Sequence, residues 1–291
     1  MSSFPPSPFS KKVTSPVRRD HQWIEREYGR EKWPSVLAEC ERILSTGESR
    51  IGAILSQLMQ WEHGEATDVP IEILALGQLL GKMPVPSALA GFYNLVISTT
   101  IGATNAETHT VLELGAGWGR NLFLVWANGG PNLARYGSLE FTAAGCECAR
   151  LISQAIPEMQ MEPRVFDLRN PDLSAWKSPS GHATVLTVYG IEQAPRIGRE
   201  LFSEILDLAP SIDVVHFEPV GWQIRGDAEG RSQLGSSKNY AELNDTNMDL
   251  WEQIKLFERK GYVDIVSTMP DVYGLNPYNS ASLIHWRKRL L

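Results

Sequence analysis

Between Thr110 and Asn121 the chain reads TVLELGAGWGRN, and those twelve residues restrict the fold more than any others. Thr110, Val111, Leu112 and Leu114 make an apolar run broken only by Glu113, and glycines follow at 115, 117 and 119 before a helical pattern, NLFLVWAN. This is the pattern of a buried strand, a tight turn and a helix N-terminus. Glycine permits positive φ and lets the backbone come close to a ligand. Glu113, at the strand end, directs an acceptor toward the same crevice. A strand that turns into a helix in this way is the first unit of an α/β sheet.

Two cofactor classes use such a turn. A dinucleotide fingerprint is GxGxxG, whose third glycine packs helix against strand beneath a pyrophosphate. The spacing here is GxGxG, with Trp118 between the last two glycines. With VLELGAGWG the chain resembles the class I S-adenosylmethionine-dependent methyltransferases, whose first motif is an apolar strand, an acidic residue and GxGxG. The resemblance implies a Rossmann-like methyltransferase fold, a seven-stranded, mostly parallel sheet with an antiparallel last strand, and S-adenosyl-L-methionine as cofactor. Gly115, Ala116, Gly117 and Gly119, together with Glu113, would lie beside it.

A second signal stands at the right distance. RYGSLEF, residues 135 to 141, reads as the next strand and ends in Glu140, 21 residues beyond Gly119. An acid about 20 residues after the glycine loop is placed to accept ribose hydroxyls, a role common to both cofactor classes. The third strand, EPRVFD, ends in Asp167, which the resemblance makes a partner of the adenine amino group and which could equally cap the turn LRNPD. The fourth, ATVLTVYG, leads to Tyr189 and Glu192, expected to face the cofactor's methyl group. The fifth, DVVHFEPVGW, carries His216 within it and Glu218 at its end. Glu192, Glu218 and His216 are the candidate bases, with Glu218 ranked above His216 because a lone strand histidine is more often a core residue.

Residues 20 to 104 carry helical stripes, Val36, Leu37, Cys40, Ile43, Leu44 and then Ile51, Ile54, Leu55, Leu58, Met59. A third helix is expected near Asp68 with Pro70 in its first turn, and a fourth after Ser87. This region reads as a helical lid or accessory region, or as a homodimer contact. Trp61, Glu62, His63, Phe92 and Tyr93 are its substrate-side candidates. Residues 1 to 19, with four prolines and four basic residues, read as a flexible tail, and residues 105 to 291 as the cofactor-binding domain. The long polar stretch 221 to 248 lies over the expected acceptor side, where Tyr240 and Asp245 offer hydrogen bonds. Asn276-Pro277-Tyr278, in the closing hairpin, reads as a turn.

Net charge is −7, from 34 acidic and 27 basic residues, which opposes a nonspecific hold on nucleic acid or anionic lipid. No apolar run spans a bilayer and no signal-peptide pattern opens the chain, so a cytoplasmic protein is expected. Cys40, Cys146 and Cys148 lack metal or redox spacing, and no metal is expected. The favoured reading is methyl transfer to a small acceptor, with an oxygen nucleophile such as a sugar or other polyhydroxylated metabolite preferred. A catalytically silent methyltransferase-like subunit, and an enzyme using another S-adenosylmethionine-derived donor, are the alternatives.

Overall fold

The computed structural model describes residues 18–63, 70–226, 235–276 and 278–290. Among these residues nine strands form one sheet: β1 (Pro70–Ala75), β2 (Gln78–Pro84), β3 (Thr108–Leu114), β4 (Arg135–Glu140), β5 (Met161–Val165), β6 (His182–Val188), β7 (Ser211–Glu218), β8 (Val263–Gly274) and β9 (Ala281–Lys288). Their spatial order is β2-β1-β8-β9-β7-β6-β3-β4-β5. Strands β3 to β7 are parallel, and β9 lies antiparallel between β7 and β8. The seven strands from β3 to β9 therefore stand in the arrangement expected of the methyltransferase fold.

Helices α1 (His21–Ile24), α2 (Trp33–Ser45), α3 (Ile51–His63) and α4 (Val85–Gly102) precede the parallel strands, with a π-helical stretch, Glu25–Lys32, joining α1 to α2. Then come α5 (Arg120–Ala127), α6 (Ala143–Ala155), α7 (Arg199–Leu206), α8 (Gly221–Arg225), α9 (Lys238–Asn244) and α10 (Leu250–Arg259). No helix among the described residues is long and apolar enough to cross a membrane.

Alternation along the strands sends side chains to two covered faces, which is why the parallel strands read as nearly continuous apolar runs. Leu112, Leu114 and Val185 meet Leu201 and Phe202 of α7 and Ile254 of α10 on one face. On the other, Val111 joins Leu122 and Phe123 of α5 and Ile152 of α6, and Leu186 and Val215 join Phe92 and Val96 of α4. The two N-terminal stripes find partners within the same chain. Val36, Cys40 and Ile43 of α2 and Ile54, Leu55 and Leu58 of α3 are buried in one cluster with α5 and α6.

Residues 70–84 correct two expectations. Pro70, expected in the first turn of a helix, begins a strand instead, and β1 and β2 form an antiparallel hairpin that extends the sheet from seven strands to nine, while Asp68 lies outside the described residues. Pro70 opens the strand, where its missing N–H costs no ladder bond. Leu76 and Gly77 turn the hairpin with φ of 49° and 72°. The run IEILA is short enough to suit strand or helix, and its place is decided by pairing of Leu74 and Ala75 with Gly274 and Tyr273 of β8.

Candidate active site

The chain leaves β3 for β4 on one side and returns to β6 on the other, so a crevice opens at the carboxyl ends of β3 and β6. Such switch points are where open α/β sheets bind ligands. A cavity of about 340 Å³ occupies this position. It falls within the usual size of small-molecule sites.

The glycine loop forms its floor. Gly115, Gly117 and Gly119 have φ of 78°, 56° and 80°, all in the left-handed region. A Cβ on Gly115 would stand 2.7 Å from the Gly190 Cα, so the loops after β3 and β6 touch. The loop's N–H groups are largely engaged within the protein. Gly115 and Ala116 donate to the Leu139 carbonyl at 2.7 and 3.1 Å, Gly119 donates to the Ala116 carbonyl at 2.9 Å, and Gly117 donates to Glu140 Oε2 at 3.0 Å.

Glu113, Gly115, Ala116, Gly117, Glu140 and Asp167 line the cavity together. Gly119 does not: it caps α5, and a Cβ there would press on Phe123 and Ser138 at 3.3 Å, so its role is packing. Glu140 also accepts from the Thr142 N–H and hydroxyl at 3.0 and 2.9 Å. Burial raises its carboxyl above the ordinary range despite these donors. Glu113 accepts from Asn121 Nδ2 at 2.6 Å through Oε1, while its Oε2 and the Asn121 Oδ1 have no hydrogen-bond partner among the described residues. Burial pushes the Glu113 carboxyl up to about 8, with the Asn121 donor pulling the other way. Asp167 accepts from the Arg169 N–H at 2.9 Å and pairs with His21 Nε2 at 3.0 Å.

The opposite wall is aromatic and aliphatic: Leu89, Phe92 and Tyr93 of α4, with Val188, Tyr189 and Leu275. Tyr189 holds φ at 53°, rare for a non-glycine, and packs its ring 5.9 Å from Phe92 while its hydroxyl donates to the Asn279 carbonyl at 3.1 Å. Glu192, Tyr240, Asn276 and Asn279 complete this side. Glu192 is 5% exposed, accepts from Asn279 Nδ2 at 3.2 Å and pairs with Arg19 Nη2 at 3.4 Å.

Two candidate bases are placed elsewhere. Glu218 does not line the cavity; it accepts from the N–H groups of Gly190, Ile191 and Glu192 at 3.0 to 3.1 Å, shaping the loop after β6. Burial pushes its carboxyl up to about 8, against donors that include the Thr187 hydroxyl and the N–H groups of Ile191 and Glu192. His216 sits in the core, between the Thr187 hydroxyl at 2.9 Å and Trp286 Nε1, which donates to it at 2.9 Å. Burial lowers it to about 3, so it stays neutral. Asp245 is likewise outside the cavity, ending α9 with φ of 50° and accepting from the Arg19 N–H at 2.7 Å. Among the accessory-region candidates, Glu62, Phe92 and Tyr93 line the cavity and Trp61 is exposed. The side chain of His63, Pro277 of the last hairpin and residues 1–17 of the tail lie outside the described residues.

Several lining residues carried no sequence signal. Ile24, Tyr28, Lys32 and Trp33 roof the cavity from the π-helical stretch and its two ends. Arg120 crosses beneath them, 4.4 Å over the Tyr93 ring, and its Nη1 and Trp118 Nε1 donate to Glu62 Oε2 at 2.7 and 3.1 Å. Lys32 reaches the other Glu62 oxygen at 3.0 Å. Asn276 and Asn279 show that the last hairpin, read as a plain turn, also reaches the site.

No family model matches the sequence, and no curated protein matches it. Solved structures similar to it include a geranyl diphosphate methyltransferase in complex with GPP and sinefungin, at 9% identity and TM-score 0.47 over 69% of this chain and 78% of that one. Geranyl diphosphate C-methyltransferase from Streptomyces coelicolor A3(2) has 10% identity and TM-score 0.47 over 71% and 81%. Magnesium protoporphyrin IX methyltransferase from Synechocystis PCC 6803 has 16% identity and TM-score 0.44 over 72% and 89%. Strand order and loop chemistry, not these likenesses, carry the functional reading.

Proposed function

We propose that this chain is an S-adenosylmethionine-dependent methyltransferase acting on a small-molecule acceptor. One observation carries the choice of cofactor. Four N–H groups of the glycine loop are already bonded within the protein, and Glu113, Glu140 and Asp167 crowd the same floor. A pyrophosphate needs free loop N–H donors, so a dinucleotide fits poorly. A nucleoside with a cationic amino-acid tail fits the same groups. Glu140 would hold the ribose hydroxyls, Asp167 the adenine, and the unpartnered Glu113 Oε2 and Asn121 Oδ1 would accept from an ammonium. The bound cofactor supplies a methyl group already activated by its sulfonium.

The acceptor reading remains an oxygen nucleophile presented to Glu192, the one candidate base that faces the cavity. Leu89, Phe92, Tyr189 and Leu275 favour a body with an apolar or aromatic surface over a sugar hydroxylated all round. With Glu218 and His216 engaged elsewhere, alignment of the acceptor between Tyr189, Glu192 and the Asn279 turn is the protein's main contribution. The N-terminal helices serve as the cavity's roof.

Calorimetry with S-adenosylhomocysteine and with NAD tests the assignment. S-adenosylhomocysteine should bind and NAD should not; a preference for NAD overturns it. Incubation of metabolite pools with methyl-labelled cofactor then identifies the acceptor, and label found on nitrogen or RNA rejects the oxygen reading.

A further inference from the structure

Arg19 ties together three loops that are distant in sequence. Its Nη1 donates to Gln193 Oε1, its Nη2 lies 3.4 Å from Glu192 Oε1, and its Nε donates to the Asn244 carbonyl at 2.8 Å. The guanidinium carbon stands 4.9 Å over the Trp23 ring. Its main chain is held too: the N–H donates to Asp245 Oδ2 at 2.7 Å and the carbonyl accepts from Arg169 Nη2 at 2.5 Å. The side chain is only 10% exposed. A guanidinium that finds a carboxylate, two amide or peptide oxygens and an aromatic face occupies a complete recognition site.

Directly after Arg19, the chain crosses the crevice. His21 pairs with Asp167 and stacks on Phe141 with centroids 5.3 Å apart, and Ile24, Tyr28, Lys32 and Trp33 form the roof. The strap is thus anchored at its start on two cavity-lining acids, Glu192 and Asp167, and at its end through Lys32 on a third, Glu62. It leaves the cavity open beneath it, so it covers the site without filling it. The roof includes an eight-residue π-helical stretch, Glu25–Lys32, a form usually limited to single turns and found mostly at functional sites.

We propose that Arg19 is the latch of this strap: its guanidinium, seated on Glu192, Gln193 and Asn244, holds residues 20–33 closed over a bound ligand and must leave that seat before the ligand is exchanged. Arg19 is a positioning residue, acting through the strap and through Glu192. The seat it vacates is a site for a small guanidinium-bearing cation. This inference rests on the methyltransferase reading for its ligand, though not for the strap itself.

The test uses the full chain and Arg19→Ala, with Arg19→Lys as a variant that keeps the charge and loses the fork. In the ligand-free protein, Arg19→Ala should raise amide hydrogen exchange across residues 22–32 while leaving β3 and β4 protected. Stopped-flow dissociation of S-adenosylhomocysteine should accelerate about tenfold or more, as expected for loss of charged hydrogen bonds. Millimolar guanidinium chloride should restore slow dissociation and low exchange to Arg19→Ala, whereas sodium chloride of equal ionic strength should not. Unchanged exchange and dissociation in Arg19→Ala overturn the latch, and a loss that guanidinium does not reverse overturns the site. Should S-adenosylhomocysteine fail to bind the unaltered chain, the methyltransferase reading falls while the exchange and rescue measurements still decide the latch.

Discussion

The two ends of the parallel strands carry similar residues put to opposite uses. Toward the amino ends of β6 and β7, Asp213 is saturated: His182 Nε2 lies 3.0 Å away, His285 pairs at 2.5 Å, and Arg287 donates at 3.0 to 3.1 Å. His182 completes the chain through the Thr108 hydroxyl at 2.8 Å. A hydroxyl, an imidazole and a carboxylate in that sequence have the composition of a nucleophilic triad. None of the three lines the cavity, and all are buried. At the carboxyl ends, Glu113 Oε2, Asn121 Oδ1 and Arg120 Nε lack hydrogen-bond partners among the described residues, and burial raises both Glu113 and Glu140. Buried polar groups with every partner present hold a fold together, whereas those left short beside a cavity are poised for a ligand.

Removing Asp213 should break the comparison at its stable end. Asp213→Ala leaves His182, His285 and the half-exposed Arg287 around an empty centre, and each largely buried histidine stripped of its partner costs about 1 to 3 kcal/mol. Urea unfolding should register that loss, and the folded fraction should keep its affinity for S-adenosylhomocysteine. A large loss of affinity in the folded fraction would mean that the amino ends also serve the ligand.

Glu140→Ala should produce the reverse pattern. Affinity for S-adenosylhomocysteine should fall by about 1.5 to 3 kcal/mol, the range for hydrogen bonds to a charged acceptor. Stability should change less, because Glu140 is an acid held above its ordinary range by burial, even though Gly117 and Thr142 lose an acceptor. Calorimetry beside urea unfolding separates the two quantities. Equal losses in both would make Glu140 a structural cap.

What the sequence made legible follows the same division. The glycine loop, Glu140 and Asp167 depend on local geometry, a strand ending in a turn, and all of them but Gly119 line the cavity. Glu218 and His216 escape such a reading because their roles depend on distant partners: the Gly190 to Glu192 backbone for one, Thr187 and Trp286 for the other. The β1–β2 hairpin escapes it because a short apolar run declares strand or helix only through β8, about 200 residues on. Arg19 sits at the end of a polar tail, and its partners Asn244 and Asp245 stand 225 and 226 positions away. No periodicity could pair them.

Glu113 gives the smallest and sharpest test. Burial raises its carboxyl from 4.5 to about 8, so near neutral pH it holds a proton in the free protein. A group raised on folding contributes stability that is complete below about 4.5 and is lost as pH rises through about 8. Glu218 follows the same course, also raised to about 8, and burial raises Glu140 as well, so Glu113→Gln should remove only part of the decline in urea stability across that window. Ligand binding adds a second observable. If the ammonium of S-adenosylhomocysteine meets the unpartnered Oε2, it favours the carboxylate, and the proton must leave as the ligand enters. Calorimetry at pH 7 in buffers of different ionisation enthalpy should therefore report release of up to about one proton, a consequence of linkage. The Glu113→Gln variant should release none. Release that persists in that variant would assign the proton to another group, and its absence in the unaltered chain would place the ligand's cation away from Glu113.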